Sequence, residues 1–172
     1  SNFFRIFIQC NDEPSMAVRW NKKGTILLVL RNLLPLVIYD PMFPKKKLEF
    51  DSKTYFNACT MKSCSFAGDE DEFIMSGRCI KTRTLKNFFF FIYILLKYHS
   101  FAGSDDFNLY MWKVPEPWPD DEWVGSEHLI LTGHRSIVNQ VRYNSCKQLI
   151  ATSGVEKIIK VCTIMLHKFH IF

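Results

Sequence analysis

A strand pair divided by an unrelated segment is the feature that most constrains this chain. One strand-like run ends at Ser76-Gly77, and another covers residues 104–112, which begin Ser-Asp-Asp and end in Trp112. Joined directly, the two runs would form a hairpin whose turn carries a carboxylate at a fixed spacing from an indole. Residues 78–103, which separate them, differ in composition from the sequence on either side. The sequence therefore predicts a β fold that is interrupted between two neighbouring strands.

A repeated first-strand pattern supports this interpretation. Residues 16–21, 60–66 and 137–144 each place a small apolar residue two positions before an aromatic one. Aligning Val18, Cys64 and Val141 gives offsets of 46 and 77, and removing the 26 residues of 78–103 reduces the second offset to 51. Both offsets then approach the roughly 40–50 residues of a repeated four-stranded sheet.

Further short apolar runs follow each of these first strands. They cover residues 25–30, 36–39 and 47–50, then 73–76, 108–112 and 128–131, and finally 149–153 and 158–160. Short strands at even spacing, with apolar residues on both faces, predict an all-β stack of about three four-stranded sheets. Residues 115–125 contain three prolines and four acidic residues, so they are predicted to form an irregular loop.

The positive charge of the chain has a local origin. The formal net charge is +5, and residues 78–103 alone contain five Lys or Arg and no Asp or Glu. The remainder is therefore neutral, which argues against a general nucleic-acid surface and predicts no direct nucleic-acid partner. Three consecutive lysines at 45–47, flanked by Pro44, are predicted to lie in an exposed turn before a strand.

Cysteine and histidine spacing predicts neither a metal site nor another cofactor. The six cysteines form no CxxC pair, and the five histidines complete no zinc pattern. Free thiols favour a reducing compartment, and we expect the nucleus, the cytoplasm or both. The apolar run at 88–96 would rise about 14 Å as a helix, which is too short to span a bilayer, so no membrane partner is predicted.

One motif resembles a known family. Residues 131–138 read Leu-Thr-Gly-His-Arg-Ser-Ile-Val, which is similar to the Gly-His start of a WD repeat, a blade of a β-propeller. In that family a His, a Ser or Thr, an Asp and a Trp often share a hydrogen-bonded network inside a blade. The resemblance implies such structural roles for His134, Ser76, Ser104, Asp106, Trp112 and Ser153. No repeat here has the full set, since Glu156 and Cys162 occupy the Asp and Trp positions of the last one.

Longer strings narrow the resemblance. AVRWNKKGT, NACTMKSCSFAGDEDEFIMSG, SDDFNLYMWKVP, GHRSIVNQVRYN and SGVEKIIK resemble the DDB- and cullin-four-associated factors. This similarity implies a partial WD-repeat propeller that serves as a substrate receptor of a cullin-four RING E3 ubiquitin ligase. Such a receptor binds a DDB-type adaptor and a target protein without catalysis. The alternatives are a WD-repeat scaffold unrelated to ubiquitin transfer and a non-functional, mis-spliced fragment.

Four side chains are predicted as candidate contacts with a protein partner. Trp118 and Trp123, in the acidic loop 115–125, are candidate recognition anchors, and the alternative is that they order the loop by local packing. Arg135 and Arg142 are candidate partner contacts, and the alternative is a solvated strand edge. No catalytic residue is predicted, because no nucleophile stands in a recognisable setting.

The interrupting segment is interpreted as translated intron sequence. Its Phe, Ile, Leu, Tyr and Lys are residues of T- and A-rich codons, and its removal restores the repeat in frame. The predicted organisation is an uncertain N-terminal segment (1–11), propeller blades (12–77 and 104–160), an insertion (78–103) and an off-pattern tail (161–172).

Overall fold

The protein is described by a computed structural model over residues 14–52, 55, 57, 62–77, 108–120, 123–125 and 127–163. Within these ranges it consists of strands and connecting turns. The strands are β1 (Ser15–Trp20), β2 (Leu27–Arg31), β3 (Leu36–Asp40), β4 (Phe43–Phe50), β5 (Cys64–Ala67), β6 (Phe73–Gly77), β7 (Leu109–Lys113), β8 (Trp123–Val124), β9 (Leu129–Leu131), β10 (Val138–Asn144), β11 (Leu149–Gly154) and β12 (Ile159–Thr163). The predictions for segments 1–11 and 78–103, for Ser104 and Asp106, and for the tail beyond Thr163 lie outside the described residues.

The strands form three sheets. Their orders are β1-β2-β3-β4-β8, β5-β6-β7-β9 and β10-β11-β12, referred to here as the first, second and third sheets. All these neighbours are antiparallel except β4 and β8, and they follow chain order except in the second sheet, where β9 pairs with β7 because β8 lies in the first sheet. The all-β prediction is confirmed, and the arrangement is consistent with a partial WD-repeat propeller.

The divided strand pair is confirmed as a pair of neighbours. Strand β6 pairs with β7 in an antiparallel register that places Gly77 opposite Leu109 and Ile74 opposite Trp112. Residues on either side of the interrupting segment therefore share one sheet, although more than thirty positions separate the facing ends. The intron origin of 78–103 remains a prediction.

Two apolar layers hold the sheets together. The layer between the first and second sheets contains Leu28, Leu30, Leu36, Ile38, Leu48, Phe50, Cys64, Phe66, Ile74, Tyr110 and Trp112. The layer between the second and third sheets contains Ala67, Phe73, Met75, Leu109, Met111, Val141 and Ile150. Because β6 and β7 supply alternate residues to both layers, the second sheet is covered on both faces, as the apolar pattern predicted.

Three strand predictions need correction. The lysines at 45–47 were predicted in a turn, but they lie inside β4, which begins at Phe43. Strand β8 pairs only with Glu49 and Phe50, so the earlier part of β4 is a sheet edge, where charged residues and proline are tolerated. The loop 115–125 contains β8, which pairs in parallel with the end of β4, a contact remote in sequence. In the third sheet β12 runs from Ile159 to Thr163, past the predicted end at residue 160.

A buried ion network joins two strands of the first sheet. The Arg31 guanidinium lies 3.1 Å from one carboxylate oxygen of Glu49, and Lys47 Nζ lies 2.9 Å from the other. Arg31 also donates two hydrogen bonds to the carbonyl of Pro35. Burial would raise the pKa of Glu49, but the hydrogen bonds from Lys47 and Arg31 outweigh burial and lower it below the ordinary 4.5.

This network predicts a pH dependence of stability. Because the folded-state pKa of Glu49 is depressed, its contribution is present above the ordinary pKa and is lost as the pH falls through the folded-state value. Glu49→Gln should cost about 1–2 kcal/mol at neutral pH. The difference in urea unfolding free energy between wild type and variant should shrink in acid, and a pH-independent difference would contradict the assignment.

Among the described residues, no helix has the length and apolar character needed to cross a membrane.

Candidate functional site

A hydrogen-bonded network surrounds the indole of Trp112 in the layer between the first and second sheets. Trp112 is fully buried and donates its Nε1–H to the backbone carbonyl of Asp51 at 3.1 Å. The ring of Tyr55 meets the indole edge-on, with centroids 5.0 Å apart, and its hydroxyl donates to Ser76 Oγ at 3.2 Å. Burial raises the pKa of Tyr55 above its ordinary value, so this hydroxyl remains protonated.

This network brings together two predicted residues and adds two others. Ser76 and Trp112 share it, whereas Asp106, the predicted carboxylate, is outside the described residues. Tyr55 occupies the place where the family resemblance implies a histidine. The sequence signal for this replacement of histidine by tyrosine was the absence of a Gly-His pair before β5, where Tyr55 lies nearby instead. The carbonyl of Asp51 carries no sequence signal, because a backbone acceptor is available from any residue.

The third sheet has a separate network centred on His134. Its Nε2 lies 2.7 Å from Thr152 Oγ1, and its Nδ1 faces the carboxylate of Glu156 at 3.8 Å. Glu156 accepts a hydrogen bond from the backbone N–H of Arg135. Burial and the nearby charge of Lys160 lower the pKa of His134 and outweigh the opposite effect of Glu156, so the imidazole is neutral at neutral pH.

The predicted hydroxyl of this network was wrong by one residue. Successive side chains of a strand point to opposite faces, so Thr152 shares the buried face of Ile150 while Ser153 points the other way. His134 approaches from that buried side and therefore contacts Thr152, not Ser153. Glu156 does occupy the acidic position named from the sequence.

This correction predicts different costs at adjacent positions. Thr152→Val keeps the side-chain shape but leaves the buried His134 Nε2 without its partner, which should cost about 1–2 kcal/mol. Ser153→Ala should change the unfolding free energy by less than about 0.5 kcal/mol. Thermal or urea denaturation checks both, and a larger effect at Ser153 would reverse the assignment. Thr152→Ser should restore most of the loss.

The four candidate partner-contact residues differ in exposure. Trp118 is partly buried against the core between the first and second sheets, and Lys46 Nζ lies 5.3 Å above its ring. This packing agrees with the alternative in which Trp118 orders its loop. Trp123 is 52% exposed. Arg135 and Arg142 have exposed side chains. Arg142 lies near β1 and β5, the first strands of the first and second sheets.

A cleft lies between turns of the first and second sheets. It has a volume of about 670 Å³ and is lined on one side by Asn21, Thr25 and Ile26 and on the other by Glu70, Asp71 and Lys113. Lys23 and Glu70 form an ion pair of 2.8 Å at its mouth. Exposed charge of this kind suits protein contact, and no group of three or more potential metal ligands occurs in the described part of the chain.

These observations define a class of protein. Stacked antiparallel sheets carry internal polar networks that tie strands together, while exposed aromatic and charged side chains lie on the surface. The class of fold is that of stacked antiparallel sheets, consistent with a partial WD-repeat propeller.

Comparison of this sequence with curated proteins identifies two similar proteins. The chain is 44% identical over 153 residues to DDB1- and CUL4-associated factor 5 of Mus musculus and, to the same extent, to that of Homo sapiens. The matched region covers 87% of this chain and 13% of each relative, so the chain spans about one eighth of their length. No protein-family model matches the chain. The resemblance to DDB1- and CUL4-associated factor 5 is therefore shown along most of this sequence.

Proposed function

We propose that this chain is part of a substrate receptor of a CUL4 RING E3 ubiquitin ligase and binds the DDB1 adaptor or the ligase target. The observation that carries this proposal is the 44% identity over 87% of the chain to proteins named DDB1- and CUL4-associated factor 5. Such a receptor positions its target for ubiquitin transfer and performs no chemistry itself.

The described polar groups support a non-catalytic role. The Thr152 hydroxyl, His134 imidazole and Glu156 carboxylate lie close together, but the side chains of His134 and Glu156 are only 6% and 10% exposed. Thr152 is also buried, at 7% exposure. A hydroxyl nucleophile needs access to its substrate, so this arrangement suits a structural tie between strands better than catalysis.

The proposed location is the nucleus, the cytoplasm or both. Cys64, Cys146 and Cys162 are free thiols, which agrees with a reducing compartment. Fluorescence microscopy of the tagged chain in cells tests this placement.

Copurification tests the proposed ligase role. The tagged 172-residue chain should recover DDB1 and CUL4 from cells, and the Gly77→Ala variant, designed to disturb the packing of the second and third sheets, should recover much less. Gly125→Ala, at a position with open space around it, is the matched control and should recover both proteins normally. A folded chain that recovers neither DDB1 nor CUL4 would favour an unrelated scaffold.

A further inference from the structure

Two arginines without acidic partners converge on one surface hollow. Arg19 of β1 and Arg142 of β10 line a depression of about 250 Å³ beside β5, the first strand of the second sheet. Each guanidinium donates one hydrogen bond to the carbonyl of its own preceding residue, Arg19 to Val18 and Arg142 to Val141. Among the described residues, no carboxylate forms an ion pair with either arginine.

The charge of Arg19 acts on Arg142, and both arginines act on a common neighbour, Cys64. Burial and then the charge of Arg19 lower the pKa of Arg142. The thiol of Cys64, at the start of β5, is influenced by the positive charges of both arginines, although burial dominates and raises its pKa. These effects agree with the geometry of the hollow, in which two like charges from different sheets lie near the same strand.

The rest of the hollow adds one cation, one anion and an exposed ring. Lys22 and Asp71 also line it, and Asp71 accepts a hydrogen bond from the backbone N–H of Lys22. The hollow therefore has three basic side chains against one acidic side chain. Trp20 lines its edge with 56% of its surface exposed, so a cationic hollow and a large apolar surface are adjacent.

From this arrangement we infer that the hollow defined by Arg19, Trp20 and Arg142 binds an acidic segment of a protein partner, with an anionic side chain between the guanidiniums and an apolar side chain against the indole. Guanidinium groups have several donors each and pair with carboxylates through parallel hydrogen bonds. An anion placed here would remove the repulsion between the arginines. Exposed Trp and Arg side chains are also the residues that most often dominate binding energy at protein interfaces.

The inference deepens the proposed function and rests on it in one respect: the acidic segment would belong to the ligase target. A protein segment suits the site better than a nucleic acid for two reasons. The hollow is small, at about 250 Å³, and the part of the sequence outside 78–103 has no net charge.

Peptide binding to the 172-residue chain tests the inference directly. The probes are short fluorescein-labelled peptides with alternating Glu and Leu, with phosphoserine in place of Glu, and with Gln in place of Glu. Fluorescence anisotropy should show binding of the two anionic peptides, weakened by salt, and at least about tenfold weaker binding of the Gln peptide. The ratio of the Glu and phosphoserine affinities distinguishes carboxylate from phosphate as the preferred anion.

Charge-reversed variants locate the binding site. Arg19→Glu and Arg142→Glu should each weaken Glu-peptide binding by about tenfold or more, because each places a carboxylate in the hollow. Trp20→Ala should weaken binding while leaving its salt dependence unchanged. Lys157→Glu, in the exposed turn at the opposite end of the third sheet, reverses one charge outside the hollow and should bind like wild type. Circular dichroism melting checks that every variant is folded.

Three results would overturn the inference. They are equal binding of the Glu and Gln peptides, equal effects of Arg142→Glu and Lys157→Glu, and a preference for labelled single-stranded RNA that the same arginine variants abolish. Adaptor copurification is a separate readout. Recovery of DDB1 without peptide binding removes the acidic-segment site alone, whereas peptide binding without DDB1 leaves the site in place and removes the ligase role.

Discussion

Trp112→Ala is expected to destabilise the chain by about 3–5 kcal/mol, which is enough to unfold many domains of this size. The indole is fully buried in the layer between the first and second sheets, where it meets the rings of Tyr55 and Tyr110. Its removal leaves a cavity and deprives the Asp51 carbonyl of its donor. Urea denaturation followed by circular dichroism measures the change without relying on the fluorescence that the substitution removes.

Two further substitutions separate the apolar and polar contributions of Trp112. Trp112→Phe retains much of the buried ring but loses the Nε1–H donor, so its cost should fall to about 1–3 kcal/mol. Trp123→Ala removes the same side chain from a position that is 52% exposed and should cost less than about 1 kcal/mol. Equal losses at Trp112 and Trp123 would show that the indole of Trp112 is not a core residue.

Gly77→Ala is expected to cost about 3 kcal/mol, because the space beside Gly77 is filled by another sheet. A Cβ at this position would overlap the backbone carbonyl oxygen of Val138 and lie 2.8 Å from the Cβ of that residue. The obstruction includes backbone at the start of β10, so a side-chain rotation cannot relieve it. The second and third sheets would have to separate, and the unfolding free energy measured in urea should fall accordingly.

Gly125→Ala provides the matched control. Apart from its chain neighbours, no heavy atom of the described residues lies within 4 Å of the position that its Cβ would occupy. Its stability should stay within about 0.5 kcal/mol of wild type, or rise slightly because alanine restricts the unfolded chain. If both glycine variants unfold at the same urea concentration as wild type, the close approach of β6 to β10 is wrong.

Particular elements show why the sequence predicts this fold well. Strands β6 and β7 carry apolar residues on both faces, which is the pattern of a sheet covered on two sides, and the structure places them between two others. The pairing of Gly77 with Leu109 follows from the same repeat pattern once residues 78–103 are set aside. Local patterns are informative here because each strand contacts the next strand of its own repeat.

The errors arise where contacts are remote in sequence. Strand β8 forms because Trp123 and Val124 lie beside Glu49 and Phe50, which are more than seventy positions away, and nothing in a proline-rich loop indicates that pairing. Tyr55 also meets a residue remote in sequence, Trp112, although its place near the missing Gly-His pair before β5 gave a partial signal. The choice between Thr152 and Ser153 depends on which face of β11 meets His134, and a shift of one residue reverses that face.

The amino-acid sequence by itself determined that this protein is a stack of antiparallel sheets, because the alternation of apolar residues and the repeat spacing are local properties of the chain. Only the tertiary structure decided that Tyr55 meets Trp112, that His134 meets Thr152, and that Arg19 and Arg142 line one hollow. These placements depend on which face of a strand meets its neighbour and on how the sheets pack, and the order of residues alone does not specify either.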